Sequence, residues 1–126
     1  MIIRPGKKSD IPQVFDLIKE LAEYEKALDK VSNTVEKLEE DGFGPNPVYE
    51  LFVAEIENKI VGIALTYYRF STWRGKVMYL EDLIVKEHMR RKGIGKKLFD
   101  MVLDHAKVTR CAVSYTHLRA HETYPH

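Results

Sequence analysis

One cysteine, Cys111, stands alone among 126 residues. No disulfide can therefore close within the chain, and the cytoplasm is the expected compartment. No apolar run approaches the roughly 18 residues that a membrane-spanning helix needs. The opening Met1-Ile2-Ile3-Arg4-Pro5 turns polar too soon for a secretory signal, so no membrane partner is expected. A formal net charge of +1 implies no general attraction to nucleic acid. Neither an internal repeat nor a low-complexity linker divides the chain, which at this length reads as one domain with a modest core.

What charge there is lies unevenly. Residues 20–41 carry eight carboxylates against Lys26, Lys30 and Lys37, whereas residues 86–97 carry Lys86, Arg90, Arg91, Lys92, Lys96 and Lys97 against Glu87 alone. The acidic segment has two readings, a solvated helix face or a field that draws in a cationic substrate. The basic segment lies inside the stretch around which the chain is organised, Met78 to Met101. Residues 78–85 are rich in apolar and β-favouring side chains and read as a buried strand interrupted by Glu81 and Asp82. Ile94, Leu98, Met101, Val102 and Ala106 then mark one stripe of a helix fading near Lys107. Between them, Gly93 and Gly95 let the backbone turn tightly and approach a ligand. The start of a helix, with outward N–H groups and the positive end of the peptide dipoles, suits an anion such as phosphate. This loop is neither a Walker loop nor a Gly-x-Gly-x-x-Gly dinucleotide fingerprint, whose third glycine would fall at Leu98.

Strand Leu83-Ile84-Val85, then Arg90-x-x-Gly93-x-Gly95, then an amphipathic helix resembles the acetyl-CoA motif of the GNAT superfamily of N-acetyltransferases. Tyr79-Leu80-Glu81-Asp82, Glu40-Asp41-Gly42-Phe43-Gly44 and Ile18-Lys19-Glu20-Leu21-Ala22-x-Tyr24-Glu25 are similar to the spermidine/spermine N1-acetyltransferase (diamine acetyltransferase) branch. The resemblance runs from about Ile2 to Cys111. It implies an α/β (α+β) GNAT fold, a mixed and mostly antiparallel sheet flanked by helices, together with acetyl-CoA as co-substrate, a small-molecule amine as acceptor and a homodimer. The acceptor it implies is a polyamine or a lysine-like amino acid such as thialysine, and the residues do not decide between them.

In chain order, Met1 to Arg4 reads as a first strand, ended by Pro5-Gly6. Ser9 is the expected cap of a helix whose buried stripe is Ile11, Val14, Phe15, Ile18, Leu21 and Ala22, running to about Leu28. Tyr24 and Glu25 at its far end are either a boundary tyrosine and a solvated glutamate or, by resemblance, neighbours of the acceptor amine. Ser32-Asn33-Thr34 caps a second helix that Gly42 stops, and Asp41 to Pro47 reads as a loop, either a simple connector or one in which Phe43 caps a substrate pocket. From Tyr49 the period becomes two, giving a hairpin of about residues 49–56 and 60–68 turning at Glu57-Asn58-Lys59. Trp73, in the following turn region, covers the core edge or, by resemblance, walls the acceptor channel.

A fifth strand is expected at Arg110-Cys111-Ala112, where the resemblance stops. Residues 1–112 thus read as the N-terminal and central part of an acetyltransferase domain, incomplete after the start of that strand. Residues 113–126 read as a non-native-looking, irregular tail. Its His117, His121 and His126 have no carboxylate or cysteine in register for a metal, and no metal is expected. The family's usual proton donor, a tyrosine in an Asn-x-x-x-x-Tyr helix, has no counterpart here, and Tyr115 and Tyr124 lie in the tail.

For acetyl transfer the loop residues Arg90, Arg91, Lys92, Gly93, Ile94, Gly95 and Lys96 are the expected diphosphate cradle. The backbone of Leu83, Ile84 and Val85 would pair with the pantetheine arm, and one of its N–H groups would meet the oxyanion. Glu81 or Asp82 would hold the amine and take its proton; strand alternation would aim only one of them at the acceptor, and resemblance favours Glu81. Because of the shortened fold, the chain is expected to bind its co-substrate weakly or not at all, with its activity impaired. Two other readings compete: a nucleic-acid-binding module using residues 86–97 with Tyr67, Tyr68 and Phe70 as stacking platforms, and a non-catalytic acetyl-CoA-binding unit.

Overall fold

The computed structural model describes residues 1–115 and the backbone of residues 119–120. The strands are β1 (Ile2–Pro5), β2 (Glu50–Ile56), β3 (Lys59–Ser71), β4 (Gly75–Val85), β5 (Ala112–Ser114) and β6 (Arg119–Ala120), and the helices are α1 (Ile11–Tyr24), α2 (Val35–Phe43) and α3 (Ile94–Val108). One sheet runs in the order β1-β2-β3-β4-β5. The first three pairings are antiparallel, and β5 and β6 both lie parallel to β4. The expected mixed, mostly antiparallel sheet flanked by helices is therefore present.

Alternation along the strands sends side chains to two cores. Leu51, Val53, Ile63 and Ile84 join Ile11, Val14, Leu17 and Leu21 of α1 and Leu38 of α2. Phe52, Ala54, Ala64, Leu83 and Val85 join Ile94, Leu98, Phe99, Val102 and Ala106 of α3 on the opposite face. Burying an apolar stripe on each side of a two-faced apolar sheet is what holds three layers together. The β2–β3 hairpin turns through Glu57 and Asn58, both at positive φ (51° and 65°), the handedness that two-residue hairpin turns require.

Several boundaries differ from the sequence expectation. The cap of α1 is Asp10, preceded by a single 3-10 turn at Lys8–Asp10 that contains Ser9. The Asp10 carboxylate does not bond the helix N–H groups; it accepts from the two Nη atoms of Arg4 at 2.8 and 3.0 Å and from the Lys7 N–H at 2.7 Å. The Arg4 guanidinium holds the Asp10 carboxyl below the usual carboxylate range. α1 ends at Tyr24 rather than Leu28, because Lys26 turns left-handed (φ 56°). α2 continues through Gly42 to Phe43. Gly42 leaves room for the Tyr49 ring, which a Cβ there would strike, so the glycine serves packing rather than termination. β5 begins at Ala112, two residues late, because Arg110 takes up a left-handed turn (φ 57°) after α3.

Candidate active site

The chemistry-bearing part of the sheet is the second half of β4. Met78 and Leu80 belong to the α3-side core, and so do Leu83 and Val85. The step from 80 to 83 is odd, so strict alternation has failed between them. Pairing with β3 shows where: Leu65 faces Asp82 and Thr66 faces Leu80, which leaves Glu81 without an opposite residue. An extra residue in one strand is a β-bulge, and it re-aims the side chains around it. Glu81 and Asp82 consequently both line one cavity on the α1/α2 side of the sheet. The expectation that strand alternation sends only one of these carboxylates to this face is corrected by the bulge, which a period-2 reading cannot anticipate.

The cavity encloses about 620 Å³, and besides Glu81 and Asp82 its wall includes Glu25, Asp41, Tyr49 and Lys30. Four carboxylates against one ammonium make it a place for a cationic amine. Apolar wall is supplied by Leu21, Leu38 and Leu65, suited to a methylene chain. Tyr49 donates its hydroxyl to the Leu38 carbonyl at 2.6 Å, and burial, with Asp41 and Glu39 nearby, pushes its pKa up to about 12. Asp41 and Tyr49 were not nominated from sequence. Asp41 follows Leu38 by three residues and so shares its inward helix face, which is the signal that points to it.

Other nominated acceptor residues are not brought together here. Tyr24 is 71% exposed and Trp73, in the β3–β4 turn, is 95% exposed. Neither is among the residues lining the cavity, whereas Glu25, Tyr24's neighbour, is. Trp73 stays at the surface because Ser71 Oγ accepts from the Trp73 and Arg74 N–H groups at 3.2 and 3.1 Å, tightening a turn that projects beyond the sheet. Phe43 packs edge-on against Tyr49, ring centroids 6.5 Å apart, and so supports the cavity wall instead of capping it.

Beyond β4 the chain makes one 3-10 turn, Glu87–Met89, and enters α3 through Arg91 (φ 65°) and Gly93 (φ 81°), the residue that caps the helix. A side chain added at Gly93 would meet nothing within 4 Å, so the helix start opens onto space, as a phosphate cradle requires. Lys97 N–H already bonds the Gly93 carbonyl at 3.1 Å. The cations nearby differ in their surroundings. Lys96 Nζ lies 3.0 Å from Asp100, and Arg90 donates Nε to the Val85 carbonyl at 3.0 Å while Nη2 lies 3.4 Å from Glu20. Leu83, Ile84 and Val85 are buried. On the outer edge of β4, opposite β3, Asp82 and Leu83 pair with Arg119 and Ala120 of β6. At Leu83 the backbone edge expected to receive the pantetheine arm is therefore taken by the chain itself.

The aromatic set offered for base stacking does not share a surface with the basic loop. Tyr67 lies against Tyr79 with the rings tilted at 46°, and Lys76 sits over the Tyr68 ring, at the end of β4 remote from Lys86. At about 3.3 Å per strand residue the two groups are separated by roughly 20–30 Å. Among the described residues no group of three or more His, Cys, Asp or Glu side chains is arranged to hold a metal; His117, His121, His126 and Tyr124 lie outside the described residues. Tyr115 packs against Phe99, centroids 5.6 Å apart. No described helix is long and apolar enough to cross a membrane.

A mixed sheet, a bulged central strand carrying carboxylates and a basic turn into a helix are parts that an acyl-transfer site can use. Comparison with known proteins bears this out. The acetyltransferase (GNAT) family profile matches residues 12–125. The thialysine N-epsilon-acetyltransferase of Bos taurus is 41% identical over 120 residues, covering 89% of this chain and 71% of the relative. The spermidine/spermine N(1)-acetyltransferase-like protein 1 of Homo sapiens is 36% identical over 116 residues, covering 86% of this chain and 17% of the relative. The crystal structure of an acetyltransferase from Vibrio fischeri superposes with a TM-score of 0.71 at 18% identity, covering 95% of this chain and 96% of that one, a likeness of fold. This chain belongs to the GNAT family of N-acetyltransferases, whose members use acetyl-CoA as co-substrate.

Proposed function

We propose that this chain transfers the acetyl group of acetyl-CoA to a primary amine of a polyamine or a lysine-like small molecule. The observation that carries the reading is the bulge at Glu81, which brings two carboxylates of β4 to one acidic cavity with an apolar stretch of wall. A primary alkylamine has a pKa near 10.4, so at neutral pH only roughly one molecule in a few thousand is a nucleophile. Glu81, with Asp82 and Glu25 in the same wall, holds the ammonium form and then accepts its proton, directly or through water. The freed amine nitrogen bonds to the thioester carbonyl carbon, the carbon–sulfur bond breaks, and the thiolate of coenzyme A departs. The backbone N–H of Val85, on the edge of β4 that faces away from β3, would meet the negative charge on the carbonyl oxygen. Arg91, Lys92, Gly93, Ile94, Gly95 and Lys96 form the diphosphate cradle at the start of α3, and a homodimer is the proposed assembly.

Binding of acetyl-CoA is weak in this reading, because β6 holds the outer edge of β4 at Asp82 and Leu83. Removal of residues 116–126 is expected to tighten acetyl-CoA binding in a calorimetric titration; unchanged affinity refutes that role for β6. The activity itself is checked by following thiol release with acetyl-CoA and thialysine, lysine, spermidine or putrescine. Acetylated product from at least one of these amines is expected. Acetyl-CoA binding with no product from any of them would favour a non-catalytic binding unit, and salt-sensitive RNA binding with no effect of acetyl-CoA on melting would favour the basic-patch reading.

A further inference from the structure

Arg90 is one of six cations in the basic segment and the first residue of the Arg-x-x-Gly-x-Gly turn. Its surroundings set it apart. Nε donates to the carbonyl of Val85, the last residue of β4, at 3.0 Å, and Nη2 reaches Glu20 Oε1 on α1 at 3.4 Å. The side chain is only 20% exposed. One guanidinium thereby touches the exit of the central strand, the root of the basic turn and the helix that leads, five residues after Glu20, to Glu25 in the cavity wall.

We infer that Arg90 is a positioning residue, a strut that fixes the basic turn against α1 and so sets the distance between the acceptor cavity and the diphosphate cradle, and that it is not itself a ligand of the diphosphate. This rests on the reading of residues 91–96 as that cradle. Swinging the guanidinium toward an anion at the start of α3 would break both bonds. It would leave the Val85 carbonyl without this donor and Glu20 without its cation, costs that fall on partly buried groups. The planar fork is what lets a single side chain bond a carbonyl and a carboxylate on two different elements. A lysine carries the charge but presents a single point donor, so it can serve a phosphate yet not span both partners.

The two roles separate in variants assayed for both substrates. As a strut, Arg90→Ala raises KM for acetyl-CoA and for the amine together, on the order of tenfold. Arg90→Lys rescues neither, and Glu20→Gln, which keeps the cation, raises both by up to about fivefold. The double variant Glu20→Gln/Arg90→Ala is no worse than Arg90→Ala alone, since both act on one contact. The inference is overturned if Glu20→Gln leaves the acetyl-CoA KM unchanged or lowers it while Arg90→Lys restores it, the pattern of a phosphate ligand. It is overturned equally if the variants lower only kcat with both KM values in place, the pattern of lost folded protein, and melting temperatures are recorded to identify that case. Failure of the parent chain to bind acetyl-CoA at all would instead refute the cradle reading, and is recognised because every variant then behaves alike.

Discussion

Gly62 lies on β3 beneath the first turn of α3, and replacing it with alanine tests how firmly that helix is seated. Pairing runs Ala54 with Gly62 and then Glu55 with Ile60, so Val61 is bulged and both Val61 and Gly62 turn toward α3. A Cβ at position 62 would lie 3.1 Å from Leu98 Cδ1, 3.2 Å from the Ile84 carbonyl oxygen and 3.3 Å from Ile94 Cγ2. All three are tighter than ordinary contact. The Ile84 oxygen belongs to the backbone of β4, and Leu98 and Ile94 are fully buried, so the strain is relieved chiefly by α3 lifting a few tenths of an ångström. Overpacking of this kind costs about 1–3 kcal/mol, offset by about 0.4–1 kcal/mol from the reduced freedom of the unfolded chain. A net loss of about 1–2 kcal/mol follows, which for a domain of this size lowers the melting temperature by roughly 4–8 °C. Because the lifted turn carries Ile94 and Gly95, KM for acetyl-CoA should rise as well. Gly93→Ala is the comparison: nothing crowds its Cβ, and its cost, about 1 kcal/mol, comes from the positive φ alone. Scanning calorimetry decides; a Gly62→Ala protein melting at or above the parent temperature would refute the argument that α3 is wedged against β3.

Glu81→Gln should lower kcat/KM for the amine by about 10²–10⁴ if the carboxylate takes the proton, with the acetyl-CoA KM little changed; steady-state kinetics on both substrates reads this. Tyr49→Phe deletes the bond to Leu38 and should cost about 0.5–1.5 kcal/mol. Since the folded-state pKa of Tyr49, about 12, lies above the ordinary value of 10, the stability it contributes is complete below pH 10 and is lost as pH rises from 10 toward 12. The difference in melting temperature between parent and Tyr49→Phe should shrink over that interval. Asp10 works in the opposite direction. Its pKa is depressed, so its contribution is present above the ordinary carboxylate range near pH 4 and is lost as pH falls below it. Asp10→Asn should cost about 1–3 kcal/mol at pH 7 and progressively less under acid, measured by urea unfolding.

Much of the architecture is legible in the one-dimensional pattern. The stripe Ile94, Leu98, Val102, Ala106 has one period and Leu51, Val53 with Phe52, Ala54 has another. Each is a local consequence of bond geometry, 3.6 residues per helical turn and 2 per strand repeat, so α3 and the β2–β3 hairpin could be read directly. The two glycines and six cations of residues 86–97 likewise mark an anion site wherever the rest of the chain lies, because a helix start and its dipole are properties of the segment itself.

Tertiary structure decided what depends on a partner strand or helix. The bulge at Glu81 exists only through its register against Leu65 and Thr66, and it alone places Asp82 beside Glu81 in the cavity. Gly42 lies within a helix, rather than ending one, where the Tyr49 ring occupies the space of its missing side chain, and the Asp10 carboxylate turns to Arg4 of β1 instead of to the N–H groups of α1. Charge counts nominate Arg90 as a phosphate cation; that its side chain also reaches the Val85 carbonyl and Glu20 of α1, the contacts from which we infer a brace, is visible only in the folded chain. Local spacing sets which elements can form, since it depends on a few covalent bonds; which side chains meet is set by long-range packing, for which the spacing of residues carries no direct signal.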